Sequence, residues 1–151
     1  MKLFIDGDGS PVKDVVIEVA QKQQLPVVIV TSIDHYTTKI YPDFVSFIYV
    51  DQGADAADYK IVQLIGSGDL LITQDYGLAS LVLPKGAVVL HQLGYEYTSK
   101  IISGLLAQRY VSSKIRQQGG RTKGPKPFTQ QEKLYFRQQL VKKLAKMTDS
   151  N

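Results

Sequence analysis

The sequence predicts an α/β domain of three layers, built on a mostly parallel five-stranded sheet. Short apolar runs alternate with segments of helical periodicity through residues 2–110. One run, VVIV at residues 27–30, is apolar throughout, as strands buried on both faces are. The 151 residues suit one domain with its own core, and no repeat or second domain is visible. Right-handed crossovers then leave a doubly wound sheet of strand order 3-2-1-4-5.

The elements follow in order. Residues 2–5 form the first strand. Ser10 and Pro11 supply an N-cap and a first-turn proline to a helix whose Val12, Val15, Val16, Val19 and Ala20 share one face. Residues 27–30 are the second strand, residues 31–42 a polar connector, and VSFIYV at 45–50 the third strand. Residues 54–65 read as a helix ended by Gly66-Ser67-Gly68, followed by a fourth strand at 70–73. A short helix over 75–83 stops at Pro84-Lys85-Gly86, and a fifth strand spans 87–90. Another helix runs from residue 98 to about 110. Residues 112–128, rich in Gly, Pro and basic side chains, predict a mobile basic loop. Thr129 and Glu132 form a capping box for a last helix over about 129–146, with Phe136, Leu140, Leu144 and Met147 on one face.

Composition narrows the chemistry. With no Cys, thiolate metal sites and disulfides are excluded. No apolar run reaches the roughly 18 residues needed to span a bilayer, and the N-terminus shows no signal-peptide pattern, so a cytoplasmic protein is expected. Residues 1–100 hold ten Asp and two Glu against seven Lys, a balance of −5; residues 101–151 hold 11 Lys and Arg against two acids, a balance of +9. Such a division suits a polyanion steered by the basic tail toward an acidic centre, or a basic helix that is merely solvated.

The acids carry the sharper signal. Asp6 and Asp8 follow the first strand, Asp55 and Asp58 open a helix at i, i+3 spacing, and Asp75 follows the fourth strand. In the expected sheet the winding reverses between strands 1 and 4, where ligands of doubly wound folds bind. Two carboxylates about 4 Å apart repel by roughly 4 kcal/mol at an effective dielectric near 20. A hard divalent cation such as Mg²⁺ or Mn²⁺ relieves that repulsion and can act on a phosphodiester. Each acid also has a plain structural use, since aspartates commonly cap turns and first helical turns.

Two other readings of DGDG are weaker. A calcium loop fails, because its sixth position is Pro11 and its twelfth is Ile17. A phosphatase of the haloacid-dehalogenase type also carries D-x-D after strand 1, but the chain has no evident cap domain and only Asp75 after its fourth strand.

Five segments together resemble one known family. DGDGSPVK, GADAADYKI, TQDYGLA, GYEYT and QRYVSSKIRQQGGRTKGPKPFT are similar to the YaiI/YqxD family of small bacterial proteins, over residues 3–144. The resemblance implies a PIN-like domain, relatives of which are Mg²⁺- or Mn²⁺-dependent ribonucleases. It matches Asp6 to the acid after strand 1 and Asp75 to that after strand 4, with Asp55 or Asp58 as the helical acid and Asp8 additional. The family's usual start is DADACP, so Gly7, Gly9 and Ser10 replace Ala, Ala and Cys. Its usual NPRG is His91-Gln-Leu-Gly94 here, which lacks the arginine.

The expectation is therefore a metal-dependent ribonuclease or related phosphodiesterase. Asp6, Asp8 and Asp75 would hold Mg²⁺ or Mn²⁺, and Asp55 and Asp58 would complete the catalytic set. Arg109, Arg116, Arg121, Lys123 and Lys126 would contact RNA. A nucleic-acid-binding module without turnover is the competing reading. His91 reads as a hydrogen-bonded rim residue, His35 carries no signal, and most of the nine tyrosines read as packing residues.

Overall fold

A computed structural model describes residues 1–53, 55–117 and 127–149, with side chains not described over 110–117. Five parallel strands make one sheet of order β3-β2-β1-β4-β5, the order expected. They are β1 (Leu3–Asp6), β2 (Val27–Ser32), β3 (Val45–Val50), β4 (Leu70–Ile72) and β5 (Val88–Leu90). The helices are α1 (Lys13–Gln23), α2 (Ala56–Leu64), α3 (Tyr76–Val82), α4 (Ser99–Gln117) and α5 (Gln130–Asp149). No helix among the described residues is long and apolar enough to cross a membrane.

Strand alternation divides the core in two. Leu3 and Ile5 of β1 face α1 and α5, joining Val16, Ala20, Phe136, Leu140 and Leu144. Phe4 faces the other way and joins Ile61 of α2, Leu78 and Val82 of α3, Tyr97, and Ile102 of α4. Asp6 shares the parity of Phe4, so it emerges on the α2/α3 face. This parity decides which acids meet.

Three expectations need correction. Ser10 does not cap α1: the cap position is Val12, with no side-chain cap bond, because the chain is still turning through Pro11 and Val12. The Ser10 hydroxyl is instead buried, without a hydrogen-bond partner among the described residues. A thiol at this position, as in the family's usual motif, would lose little there, whereas a hydroxyl loses its water. Ser10→Ala is accordingly expected to raise stability by about 1 kcal/mol in urea unfolding.

The second correction is that residues 112–117 belong to α4 rather than to a loop. The run VSSKIRQ contains no Gly or Pro, and Lys, Arg and Gln are good helix formers. Breakers begin only at Gly119. The remainder of the expected loop up to residue 126, with Arg121, Lys123 and Lys126, lies outside the described residues, as does Ala54.

Third, β2 continues through Thr31 and Ser32, which read as connector in the sequence. The last helix runs three residues further than expected, to Asp149. Its capping box is present, with the Glu132 N–H donating to Thr129 Oγ1 (3.0 Å) and the Thr129 N–H to Glu132 Oε1 (2.9 Å). Two of its cations are used against α1, Arg137 on Glu18 (2.7 Å) and Lys133 on Asp14 (3.6 Å).

Candidate metal centre

The acids are placed by three elements meeting at the carboxyl edge of the sheet. Asp6 ends β1 and is half-buried, while Thr73, the residue after β4, is buried. The Thr73 hydroxyl donates to Asp6 Oδ2 (2.9 Å) and accepts from the Asp75 N–H (3.0 Å). One threonine thus ties the Asp6 carboxylate to the backbone of Asp75 across the sheet reversal.

Asp75 caps α3: its Oδ1 accepts from the N–H groups of Gly77 (2.8 Å) and Leu78 (3.3 Å). The structural role open to any aspartate before a helix is therefore real here. It engages one of the two carboxylate oxygens in the cap. A Cβ on Gly77 would lie 3.1 Å from Asp75 Oδ1, so glycine there leaves the cap its room.

Asp55 occupies the cap position of α2 without a side-chain cap bond and is exposed; Asp58, one turn on, is half-buried. Burial first, then the charges of Asp75, Asp6 and Asp55, push the Asp58 carboxyl up to about 6. Burial also raises the Asp6 carboxyl; the Thr73 hydrogen bond opposes this, and the charges of Asp8 and Asp75 add to it. Asp58 thus shares its field with Asp6, Asp55 and Asp75, and Asp6 with Asp8 and Asp75; among the described residues no lysine or arginine contributes to either shift.

Asp8 stands apart. Gly7 pairs its N–H with the Val30 carbonyl (2.8 Å) so closely that a Cβ would meet Ile29 Cγ2 at 2.8 Å and Thr31 Cβ at 3.0 Å. The following turn, with Gly9 at φ +73°, lays Asp8 against β2. There Asp8 Oδ1 accepts from the Thr31 hydroxyl (2.5 Å) and the Ser32 N–H (3.0 Å), with His35 Nδ1 3.4 Å away. Burial works against the Asp8 charge, but Thr31, Ser32, His35 and Lys13 outweigh it and hold its carboxyl below the ordinary value. The structure therefore couples Asp6, Asp58 and Asp75, with Asp55 acting on Asp58 and Asp8 on Asp6, while the Asp8 carboxylate is held by partners of its own.

Sequence reasoning missed Thr31, Thr73 and His35. The available signal for both threonines was a hydroxyl directly after an apolar run, VVIV before Thr31 and LLI before Thr73. Arg109 is tied to α3: its guanidinium donates to the hydroxyl of Tyr76, the residue after Asp75 in the chain (3.3 Å). The Arg116 side chain is among those not described. His91 stacks on Tyr95 (ring centroids 4.6 Å) and takes the Leu93 N–H on Nδ1 (2.9 Å); burial holds it down to about 4, so it is neutral at pH 7. Buried Tyr97 has its phenol pushed up by burial, by Tyr95 and by the Asp75 charge.

A hard cation suits these oxygens, yet no three of the described Asp, Glu or His side chains are placed to close round one ion. Mg²⁺ does not require such a cage: it keeps several waters and commonly takes one or two carboxylates plus substrate phosphates. Asp6 and Asp75 are joined through Thr73, and Asp58 lies in their field.

Fold and site together define a doubly wound, all-parallel α/β protein with an acidic cluster at the reversal of its sheet. The chain belongs to the family described as "Uncharacterized BCR, YaiI/YqxD family", whose profile matches residues 4–146. It is 71% identical over 141 residues to a UPF0178 protein of Enterococcus faecalis, covering 93% of this chain and 95% of that one. It is 56% identical over 137 residues to a UPF0178 protein of Bacillus anthracis, covering 91% and 94%. The solved structure of Rae1 (YacP) from Bacillus subtilis superposes over 99% of this chain and 92% of that one, with TM-score 0.47 and 16% identity.

Proposed function

We propose that this protein is a divalent-metal-dependent phosphodiesterase of PIN-like type that cleaves RNA. The observation that carries the reading is the convergence of Asp6, Asp58 and Asp75 at the sheet reversal, with Thr73 joining two of them. Asp6 and Asp75 would hold Mg²⁺ or Mn²⁺, and a bound ion would supply charge neutralisation and Lewis-acid chemistry on a phosphodiester. Asp58, protonated part of the time near pH 6 in the metal-free protein, would position water or complete the ligand set. Asp55 would add to the field that draws the cation, and Asp8 would brace the β1 turn against β2. Arg109 would meet the phosphate backbone beside Asp75.

Thr73 would act as a positioning residue. Thr73→Val removes the donor to Asp6 Oδ2 and is expected to weaken Mn²⁺ affinity about tenfold by calorimetric titration, as loss of a ligand's hydrogen-bond partner does elsewhere.

The cap bond on Asp75 favours one competing reading, a nucleic-acid-binding module in which that acid is structural. Labelled single-stranded RNA, incubated with Mn²⁺ or Mg²⁺ and either the wild type or Asp6→Asn/Asp75→Asn, separates the two. Cleavage by the wild type alone supports the phosphodiesterase. Binding without cleavage, unchanged in the double variant, supports the module, and turnover of a small phosphate ester in place of RNA would point to a phosphatase.

A further inference from the structure

Away from the acids, the outer edge of the sheet carries a polar pocket of about 210 Å³ between the turn after β5 and one face of α5. Its α5 wall presents Lys142, Lys143 and Lys146, and the acid among its lining residues is Glu96. The Glu96 carboxylate takes Lys143 Nζ at 2.8 Å, with the lysine side chain only 25% exposed. Basic residues near a helix C-terminus are favoured by the helix dipole, but that preference does not gather them on one face. The backbone makes the space: Gly94, at φ +100°, approaches α5 so closely that a Cβ would meet the Tyr135 ring at 3.0 Å. At this size the pocket falls below the roughly 300–1,000 Å³ of small-molecule sites, which suits a phosphate group rather than a whole nucleotide.

We propose that this pocket binds a phosphate of the nucleic-acid backbone, forming a second anchor for the strand. The inference rests on the nucleic-acid reading above and extends it to a surface outside the acidic cluster. Tyr95 links the two regions: it lines the pocket, and its ring lies 5.5 Å from that of Tyr97, whose phenol feels the Asp75 charge. A strand gripped here can therefore run along the β5 edge toward the acids.

The test uses the full chain in EDTA, so that RNA is bound but not cut. Fluorescence anisotropy with a labelled single-stranded RNA is followed against salt for three proteins: the wild type, Lys142→Gln/Lys143→Gln/Lys146→Gln, and a charge-matched control, Lys2→Gln/Lys22→Gln/Lys60→Gln. Each phosphate neutralised on a single strand adds about 0.7 to the slope of log affinity against log salt. The pocket variant is expected to lose about 0.7 or more of that slope and about tenfold in affinity at low salt, with the control changed less than about threefold. Equal losses in both variants, or none in the pocket variant, overturn the inference alone. No RNA binding by the wild type overturns the nucleic-acid reading and this inference with it. A melting temperature raised by inorganic phosphate in the wild type but not in the pocket variant, with RNA affinity equal in both, shows a free-anion site and also overturns it.

Discussion

Asp6→Asn and Asp75→Asn are each expected to lower Mn²⁺-dependent RNA cleavage at least about a hundredfold, read as kcat/KM on a labelled oligonucleotide. A bound cation supplies several kcal/mol of charge stabilisation to phosphodiester cleavage, and each 1.36 kcal/mol is a tenfold change in rate. Asparagine is the informative replacement at both positions. Its amide oxygen can still accept from Thr73 at position 6 and from the Gly77 and Leu78 N–H groups at position 75. The fold and the α3 cap are thereby kept while the charge is removed. Asp75→Ala would lose both together, at about 1 kcal/mol of stability for the cap. Asp8→Asn removes one of the charges that act on Asp6 but leaves the Thr73 bridge and the Asp58–Asp75 coupling in place, and is expected to change the rate less than about tenfold. A loss at Asp8 as large as at Asp6 would show that the turn swings it into the site when metal binds.

Asp58→Asn is expected to stabilise the metal-free protein at pH 7.5 by about 1–2 kcal/mol, a value discounted for the partial exposure of the side chain. The sign follows from the direction of the shift. A carboxyl held at about 6 in the folded chain and near 3.8 in the unfolded one binds more protons when folded between those values. Stability is therefore lost as pH rises through that window, and the penalty is complete above pH 6. Removing the charge recovers it. The gain should shrink as pH falls below 6 and vanish below about 4, in urea melts with EDTA. With saturating Mn²⁺ the order reverses, because the wild type then gains from the ion. A variant no more stable than the wild type at pH 7.5 would mean that Asp58 does not feel its neighbours.

The sheet order was legible because alternation of strand and helix, with one crossover hand, leaves few arrangements. That order brought Asp6 and Asp75 together on paper. Which face each acid takes was harder. Asp6 belongs to a strand, so its side follows from Phe4, but Asp8 follows Gly7 and Gly9, and two-residue alternation does not survive such a turn. The family resemblance set Asp8 beside Asp6 and Asp75 ahead of Asp58; in the structure Asp8 acts on Asp6 from its place against β2, and Asp58 is coupled to Asp6, Asp55 and Asp75. Ser10 and the extent of α4 misled for local reasons: a serine before proline looks like a cap wherever it occurs, and the Gly- and Pro-rich run after residue 118 made the whole basic segment look irregular. The capping box of Thr129 and Glu132 was readable because both halves lie in four consecutive residues. Bonds such as Thr73 to Asp6 join residues 67 apart and depend on the finished sheet.

In the proposed function Asp6 and Asp75, flanked by Asp58, take up a divalent cation. Thermal unfolding of the wild type and of Asp6→Asn/Asp75→Asn, with Mn²⁺ raised from zero to about 10 mM in place of EDTA, tests it most directly. The account predicts a saturable rise of several degrees in the wild-type Tm, corresponding to about 1.4 kcal/mol when Mn²⁺ reaches ten times its dissociation constant, and no rise in the double variant. A flat wild-type Tm over that range, or an equal rise in both proteins, would contradict it.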